Sequence, residues 1–183
     1  KRERGTLFKE KKNISTETMG SGLSHTESGT ANANIDTVWK TCFVPMKWES
    51  WDPDVKEMKN VSGGLGIDST FTFVMNDGAE FQTRLVDVLD EKSHKALIFS
   101  TSLVCGLLEL RGEIELTERS EVTEIQYNFS IGGCMACVAS SNTRIEQEIV
   151  NGVKVGLANI IDMSEKASSM TSPDGVSINK IIG

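Results

Sequence analysis

Proline and histidine are nearly missing from this sequence, with three of the first and two of the second in 183 residues. So few prolines argue against an extended Pro-rich chain, and sixteen glycines point to turns instead. His25 and His94 lie too far apart in sequence to suggest a metal centre. The four cysteines, Cys42, Cys105, Cys134 and Cys137, do not read as a disulfide framework, because a chain of this length folds without staples. They are read as reduced thiols, which places the protein inside the cell, in the cytoplasm or an organelle. No apolar run approaches the roughly 20 residues that span a bilayer, so stable membrane insertion is not expected. A nucleic-acid surface needs clustered Lys and Arg, and a net charge of −7 with no basic groove argues against one.

What is present is enough apolar material, 38% of the residues, for one well-covered core. The first 24 residues hold six basic and three acidic side chains, so the acidity is concentrated in the body that follows. Residues 1–22 are polar and without periodicity, and are read as a disordered segment. The chain opens on Lys rather than Met, which suggests a missing or processed start. The domain proper is placed at 23–168 and a flexible tail at 169–183.

Within that domain the periodicity changes twice. LSHTESGTANAN, residues 23–34, is a weak polar strand. IDTVWKTCFV follows as a short helix with Ile35, Val38, Trp39 and Cys42 on one side, stopped by Pro45. A second helical turn over Met46–Trp51 breaks at Pro53, and a strand over Val55–Val61 leads into the glycines of SGGLG. Alternating segments come next. In IDSTFTFVMN, Ile67, Ser69, Phe71, Phe73 and Met75 share a face, and Asp77-Gly78 is a hairpin turn. The returning strand from Ala79 has Phe81, Thr83, Leu85 and Asp87 on one face and Gln82, Arg84, Val86 and Val88 on the other, and the sequence leaves open which is inward.

HKALIFSTSLV, with Phe99, LLELRGEIEL, with Leu108, Leu110, Gly112, Ile114 and Leu116 on one face, and EVTEIQYNFSIG, with Ile125, Tyr127, Phe129 and Ile131 inward, complete the strands. From Gly133 to about Ala167 the period becomes helical, with an apolar stripe of Val138, Ile145, Ile149, Val153, Leu157 and Ile160. At 1.5 Å per residue a helix of about 30 residues runs roughly 45 Å, long enough to cross a curved sheet. Gly152 and Gly156 on it imply a close approach or a bend.

The order predicts an α+β fold: a curved antiparallel sheet of six to seven strands around one long C-terminal helix, with two short helices after the first strand. A sheet that curls away from a helix leaves a gap, which is the expected site.

Val38-Trp39 in the first helix, Trp48 to Val55 (W-E-S-W-D-P-D-V), Gly64 to Gly66, the Gly132-Gly133 junction and the long last helix together resemble the START-like (SRPBCC) superfamily. Within it the chain looks most like the polyketide cyclase/dehydrase-type proteins. The resemblance implies a helix-grip fold with an internal cavity for a small hydrophobic molecule such as a lipid, sterol or polyketide. It also puts the two short helices at the cavity mouth, where Trp48 and Trp51 either gate the opening or wedge the helices onto the sheet.

The candidate ligand-binding residues are Trp48, Trp51, Phe71, Phe73, Phe81, Thr83, Leu85, Phe99, Leu110, Tyr127, Phe129, Val138, Asn142, Ile145 and Ile149. A cavity of at least about 300 Å³ is expected if a ligand is bound. A cyclase/dehydratase-type enzyme is the alternative, with Arg84, Asp87 and Tyr127 as the acid–base candidates. A protein-interaction module, marked by an exposed apolar patch, is a third reading.

Cys134 and Cys137 form a C-x-x-C, but no second pair and no βαβ context accompany it, so structural cysteines are expected. His94, beside Ser93 and Lys95, is expected to be a solvated turn residue. SGGLG joins strand to strand and offers no helix N-terminus to a phosphate, so no cofactor and no metal are expected. Ligand identity and oligomeric state are not legible in the sequence.

Overall fold

The computed structural model of the protein describes residues 22–103, 107–133 and 143–171. Its chain begins in strand β1 (Ser24–Ala31) and turns into helix α1 (Ile35–Cys42) at Asn34, whose Oδ1 accepts the Thr37 N–H at 2.8 Å. That cap satisfies one of the orphan donors of the first turn. The buried face of α1 is Ile35, Val38, Trp39 and Cys42, as the spacing predicts, and the helix ends two residues before the segment constrained by Pro45.

A single 3-10 turn, Trp48–Ser50, then carries the chain across to strand β2 (Val55–Ser62). Five more strands follow: β3 (Thr70–Met75), β4 (Glu80–Asp90), β5 (His94–Leu103), β6 (Leu108–Arg119) and β7 (Val122–Gly132). Helix α2 (Thr143–Thr171) closes the described chain.

The seven strands form one antiparallel sheet in the order β1-β7-β6-β5-β4-β3-β2. The first two strands are therefore its opposite edges, and α1 with the 3-10 turn is the link that crosses between them. Asp77-Gly78 makes the β3–β4 hairpin as expected: Gly78 sits at φ +88°, and the Asp77 carboxylate accepts the Ala79 N–H at 2.9 Å.

The long helix lies against β1, α1 and β7. Val153, Leu157 and Ile160 of the expected stripe are buried, and Ser164 extends it. Its 29 residues run about 44 Å. No helix among the described residues is long and apolar enough to cross a membrane.

The two helical glycines face side chains, not a strand backbone. A Cβ at Gly152 would sit 2.7 Å from Asp54 Oδ2, whereas one at Gly156 would meet Trp51 and Tyr127 at ordinary contact distances of 3.7 and 3.8 Å. Gly156→Ala is therefore expected to stabilise the protein by about 0.5–1 kcal/mol, through backbone entropy alone. Chemical denaturation measures it, and a destabilised variant contradicts the packing.

Several local readings are corrected. Ile67 does not join the inward face; it lies in the loop ahead of β3 and is 59% exposed. His94 opens β5 rather than occupying a turn, with its Nε2 2.7 Å from Glu115 Oε1. Asp87 is thrown outward by a register shift in β4: Leu85 pairs with Phe99 and Asp87 with Ile98, so Val86 is an extra residue and the alternation reverses after it.

Candidate functional site

Tryptophan and phenylalanine rings fill much of the interior between sheet and helix. Trp48 lies at their centre, with ring centroids 4.6 Å from Phe99, 5.0 Å from Phe73, 5.1 Å from Trp51 and 5.6 Å from Phe71. Trp48 and Trp51 are both fully buried. Trp51 is fixed by its Nε1–H donating to the Cys42 carbonyl at 3.1 Å, and Asn159 of α2 donates to the Trp51 carbonyl at 2.8 Å. The two indoles therefore wedge the short helices onto the sheet and do not gate an opening. The Trp48 indole N–H is buried without an acceptor among the described residues, a cost of about 1–3 kcal/mol.

Beside this aromatic block a pocket of about 190 Å³ remains, between β3–β7 and the N-terminal half of α2. It is smaller than expected, and the reason is the block itself: rings occupy room that smaller side chains would leave. Phe73, Phe81, Phe99, Leu110, Tyr127, Phe129 and Ile149 of the predicted residues line it. Trp48, Trp51, Phe71, Thr83 and Leu85 are buried but do not line it.

Val138 and Asn142, the side chain of Ile145, and the C-x-x-C cysteines Cys134 and Cys137 lie outside the described residues, as does Cys105. Two acid–base candidates are corrected. Arg84 is on the outer face, its side chain 60% exposed and 3.7 Å from Asp68, because the Phe81 face is the inward one. Asp87 is in solvent, for the bulge given above.

The pocket also has lining residues that the sequence reading missed: Asp52, Asp54, Val55, Met75, Thr101, Gly152 and Val153. Four lining residues, Asp54, Met75, Phe81 and Ile149, border an adjoining open groove with Asn76, Asp77, Glu148 and Asn151. Access thus runs between the β3–β4 hairpin and α2, not past the two tryptophans. A larger groove of about 520 Å³ around Ser28, Glu115, Arg119 and Glu124 is open and polar, and gives an apolar ligand no enclosure.

Polar groups sit at two places in the pocket wall. Thr101 and Thr83 share a hydroxyl–hydroxyl hydrogen bond of 2.7 Å, so Thr101 is already satisfied. Asp52, Asp54 and Tyr127 are different. Asp52 is half-buried; its Oδ1 accepts the Asp54 N–H at 3.0 Å, and it has no cationic partner among the described residues. Burial pushes its carboxyl up to about 6, the Asp54 charge adding to the effect and the backbone hydrogen bonds opposing it. Tyr127 is 5% exposed, and its hydroxyl has no hydrogen-bond partner among the described residues. Burial, then the Asp52 and Asp54 charges, raise its pKa above the ordinary value.

The sign of the Asp52 effect gives a test. In the unfolded chain the group titrates near 3.9, and in the fold near 6. The fold therefore holds a proton that the unfolded chain releases between those values, and stability falls as pH rises through that window. Asp54 lies beside Asp52 on the same segment, Tyr127 lines the pocket from β7, and Glu148 borders the adjoining groove, so no cation among the described lining residues offsets the charge. Asp52→Asn is expected to stabilise the protein at pH 7 by about 1–2 kcal/mol, allowing for solvent at the exposed edge. At pH 4 the variant and the parent should match. Denaturation at both pH values reads it; a gain equal at pH 4 and pH 7 would contradict the burial argument.

The architecture is the helix-grip fold. It is shared, at TM-score 0.67, with a hypothetical protein of Helicobacter pylori, jhp0584, at 13% identity over 90% of this chain and 99% of that one. Ara h 8.0201 superposes at TM-score 0.63 with 12% identity, covering 80% and 99% of the two chains. The di-domain ARO/CYC StfQ from the steffimycin biosynthetic pathway matches at TM-score 0.62 and 10% identity, over 80% of this chain and 51% of that one. At these identities the likeness is one of fold. No protein-family model matches the chain. No curated protein sequence matches it either.

Proposed function

We propose that the protein binds a small apolar molecule in the pocket between α2 and strands β3–β7. The observation that supports this most is the wall: Phe73, Phe81, Phe99, Phe129, Leu110 and Val153 line about 190 Å³ that the side chains of the described residues leave unfilled. The START-like resemblance and the helix-grip neighbours support the same reading. At this volume, below the roughly 300 Å³ of an ordinary drug-sized site, the occupant is the size of a substituted ring. A sterol or a long-chain lipid exceeds the pocket as it stands.

A cyclase- or dehydratase-type enzyme is the second reading, favoured by one neighbour's ARO/CYC label and by Tyr127 in the pocket. It requires an acid–base pair, and among the described residues no hydrogen bond joins Tyr127 to Asp52. The binder is therefore the better-supported reading. The interaction-module reading has less support still: among the described residues the exposed large apolar side chains Val44, Val61, Ile67 and Leu107 lie in four separate segments, and Val155 and Met170 are fifteen residues apart on α2.

Ethylbenzene or indole at about a hundredfold excess over its Kd is expected to stabilise the fold by about 2.7 kcal/mol. For a chain of this size that raises Tm by roughly 5–10 °C. Ile149→Trp, at the half-buried mouth, should block access and abolish the rise while leaving the unliganded Tm within a few degrees. A wild-type Tm indifferent to every small apolar ring would overturn the proposal.

A further inference from the structure

The polar end of the pocket is built in a way that narrows its occupant. Asp52 and Asp54 come from one tight segment after the 3-10 turn, and Tyr127 comes from β7 on the opposite wall. Gly152 of α2 leaves the Asp54 carboxylate room against the helix, where any Cβ would lie 2.7 Å from Oδ2. Neither carboxylate forms an ion pair among the described residues, and no lysine or arginine lines the pocket. The Tyr127 side chain, nineteen-twentieths buried, borders the same space, and its hydroxyl has no hydrogen-bond partner among the described residues. Asp52 spends part of its capacity on the Asp54 N–H, and Asp54 is exposed, so what this polar end lacks among the described residues is a cation rather than a first donor.

We infer that the occupant is a small aryl-alkyl amine, its ring among Phe73, Phe81, Phe99 and Phe129 and its ammonium between Asp52, Asp54 and the Tyr127 hydroxyl. This rests on the reading of the pocket as a ligand site. An ammonium carries several donors and no acceptor, so it serves both carboxylates and the phenol oxygen at once. An anionic head on the same ring meets two like charges and is rejected.

The test compares isosteres: 2-phenylethylamine, 2-phenylethanol, phenylacetate and ethylbenzene, titrated against the full chain at pH 7.5 by calorimetry and by methyl NMR. The amine is expected to bind about tenfold or more tightly than the alcohol, the ratio for one charge-assisted contact set. Phenylacetate should bind weakest. In Asp52→Asn with Asp54→Asn the amine-to-alcohol ratio should fall to within about twofold, and Tyr127→Phe should lower it less. Equal affinity for amine and alcohol, a preference for phenylacetate, or a ratio unmoved in the double variant would overturn the inference. If ethylbenzene alone binds, the amine assignment fails and the apolar site stands. If none of the four binds, both fail.

Discussion

Removing both carboxylates that face Lys95, as Asp36→Asn with Asp90→Asn, is expected to destabilise the protein by about 3–5 kcal/mol. Lys95 is 4% exposed, yet its ammonium meets two carboxylates. Its Nζ bonds the Asp90 carboxylate, lies 3.1 Å from Asp36 Oδ1, and sits 5.8 Å from the centre of the Trp39 ring. Asp36 lies in the first turn of α1 and Asp90 ends β4, so the ammonium ties the helix to the sheet. Burial alone would lower the Lys95 pKa; hydrogen bonds to Asp90 and Asp36, with their charges, outweigh it and hold the group above its ordinary value.

The asymmetry of this cluster makes the prediction specific. Both aspartates are more than half exposed, whereas the lysine is not. Deleting the aspartates strands a buried cation; Lys95→Met returns two carboxylates to water and fills the space with an apolar chain of similar length, at about 1 kcal/mol or less. Because the folded pKa is raised, the contribution is full below about pH 10.4, the unfolded value, and is lost as pH rises through the folded one. Urea denaturation of the three proteins reads the difference. A Lys95→Met variant as damaged as the double aspartate variant would contradict the account.

Gly112→Ala is the second large effect, expected at about 3 kcal/mol with loss of ligand binding. Gly112 of β6 is paired with Phe99 on one side and Phe129 on the other. A Cβ there would overlap the Phe99 ring well inside van der Waals contact. That ring is held edge-on against Trp48 and also forms the pocket wall, so it cannot yield without opening the block or entering the cavity. Gly132, at the far end of β7, meets nothing within 4 Å of a built Cβ and should accept alanine within about 0.5 kcal/mol. Denaturation midpoints and ethylbenzene binding for the two variants check this. Equal tolerance at both sites would mean that Phe99 is free to move.

Much of the fold was legible because period-2 and period-3.6 patterns are set by burial, and burial dominates here. The faces Leu110–Leu116 and Ile125–Ile131, the α1 stripe and the Asp77-Gly78 hairpin all follow from it. The face of β4 was ambiguous for a physical reason: one extra residue at Val86 reverses the alternation, so neither face reads as apolar along its whole length. Asp87 was misplaced by that bulge.

The pocket was only half legible. Inward strand residues such as Phe73, Phe99 and Tyr127 announce themselves by spacing, but how far rings interdigitate depends on three-dimensional fit, and Trp48 and Trp51 took the room assigned to a ligand. Asp52 and Asp54 were passed over because a D-P-D segment reads as a turn; only the tertiary position of Gly152 and Tyr127 shows that these carboxylates border an apolar space.

The unfilled space between α2 and the sheet is tested most directly by methyl NMR of the protein titrated with ethylbenzene. The account predicts saturable shifts concentrated at Val55, Met75, Leu110, Ile149 and Val153, with Val44, Val61 and Ile67 unmoved. Shifts confined to those exposed residues, or none at any concentration the ligand reaches in water, would contradict it.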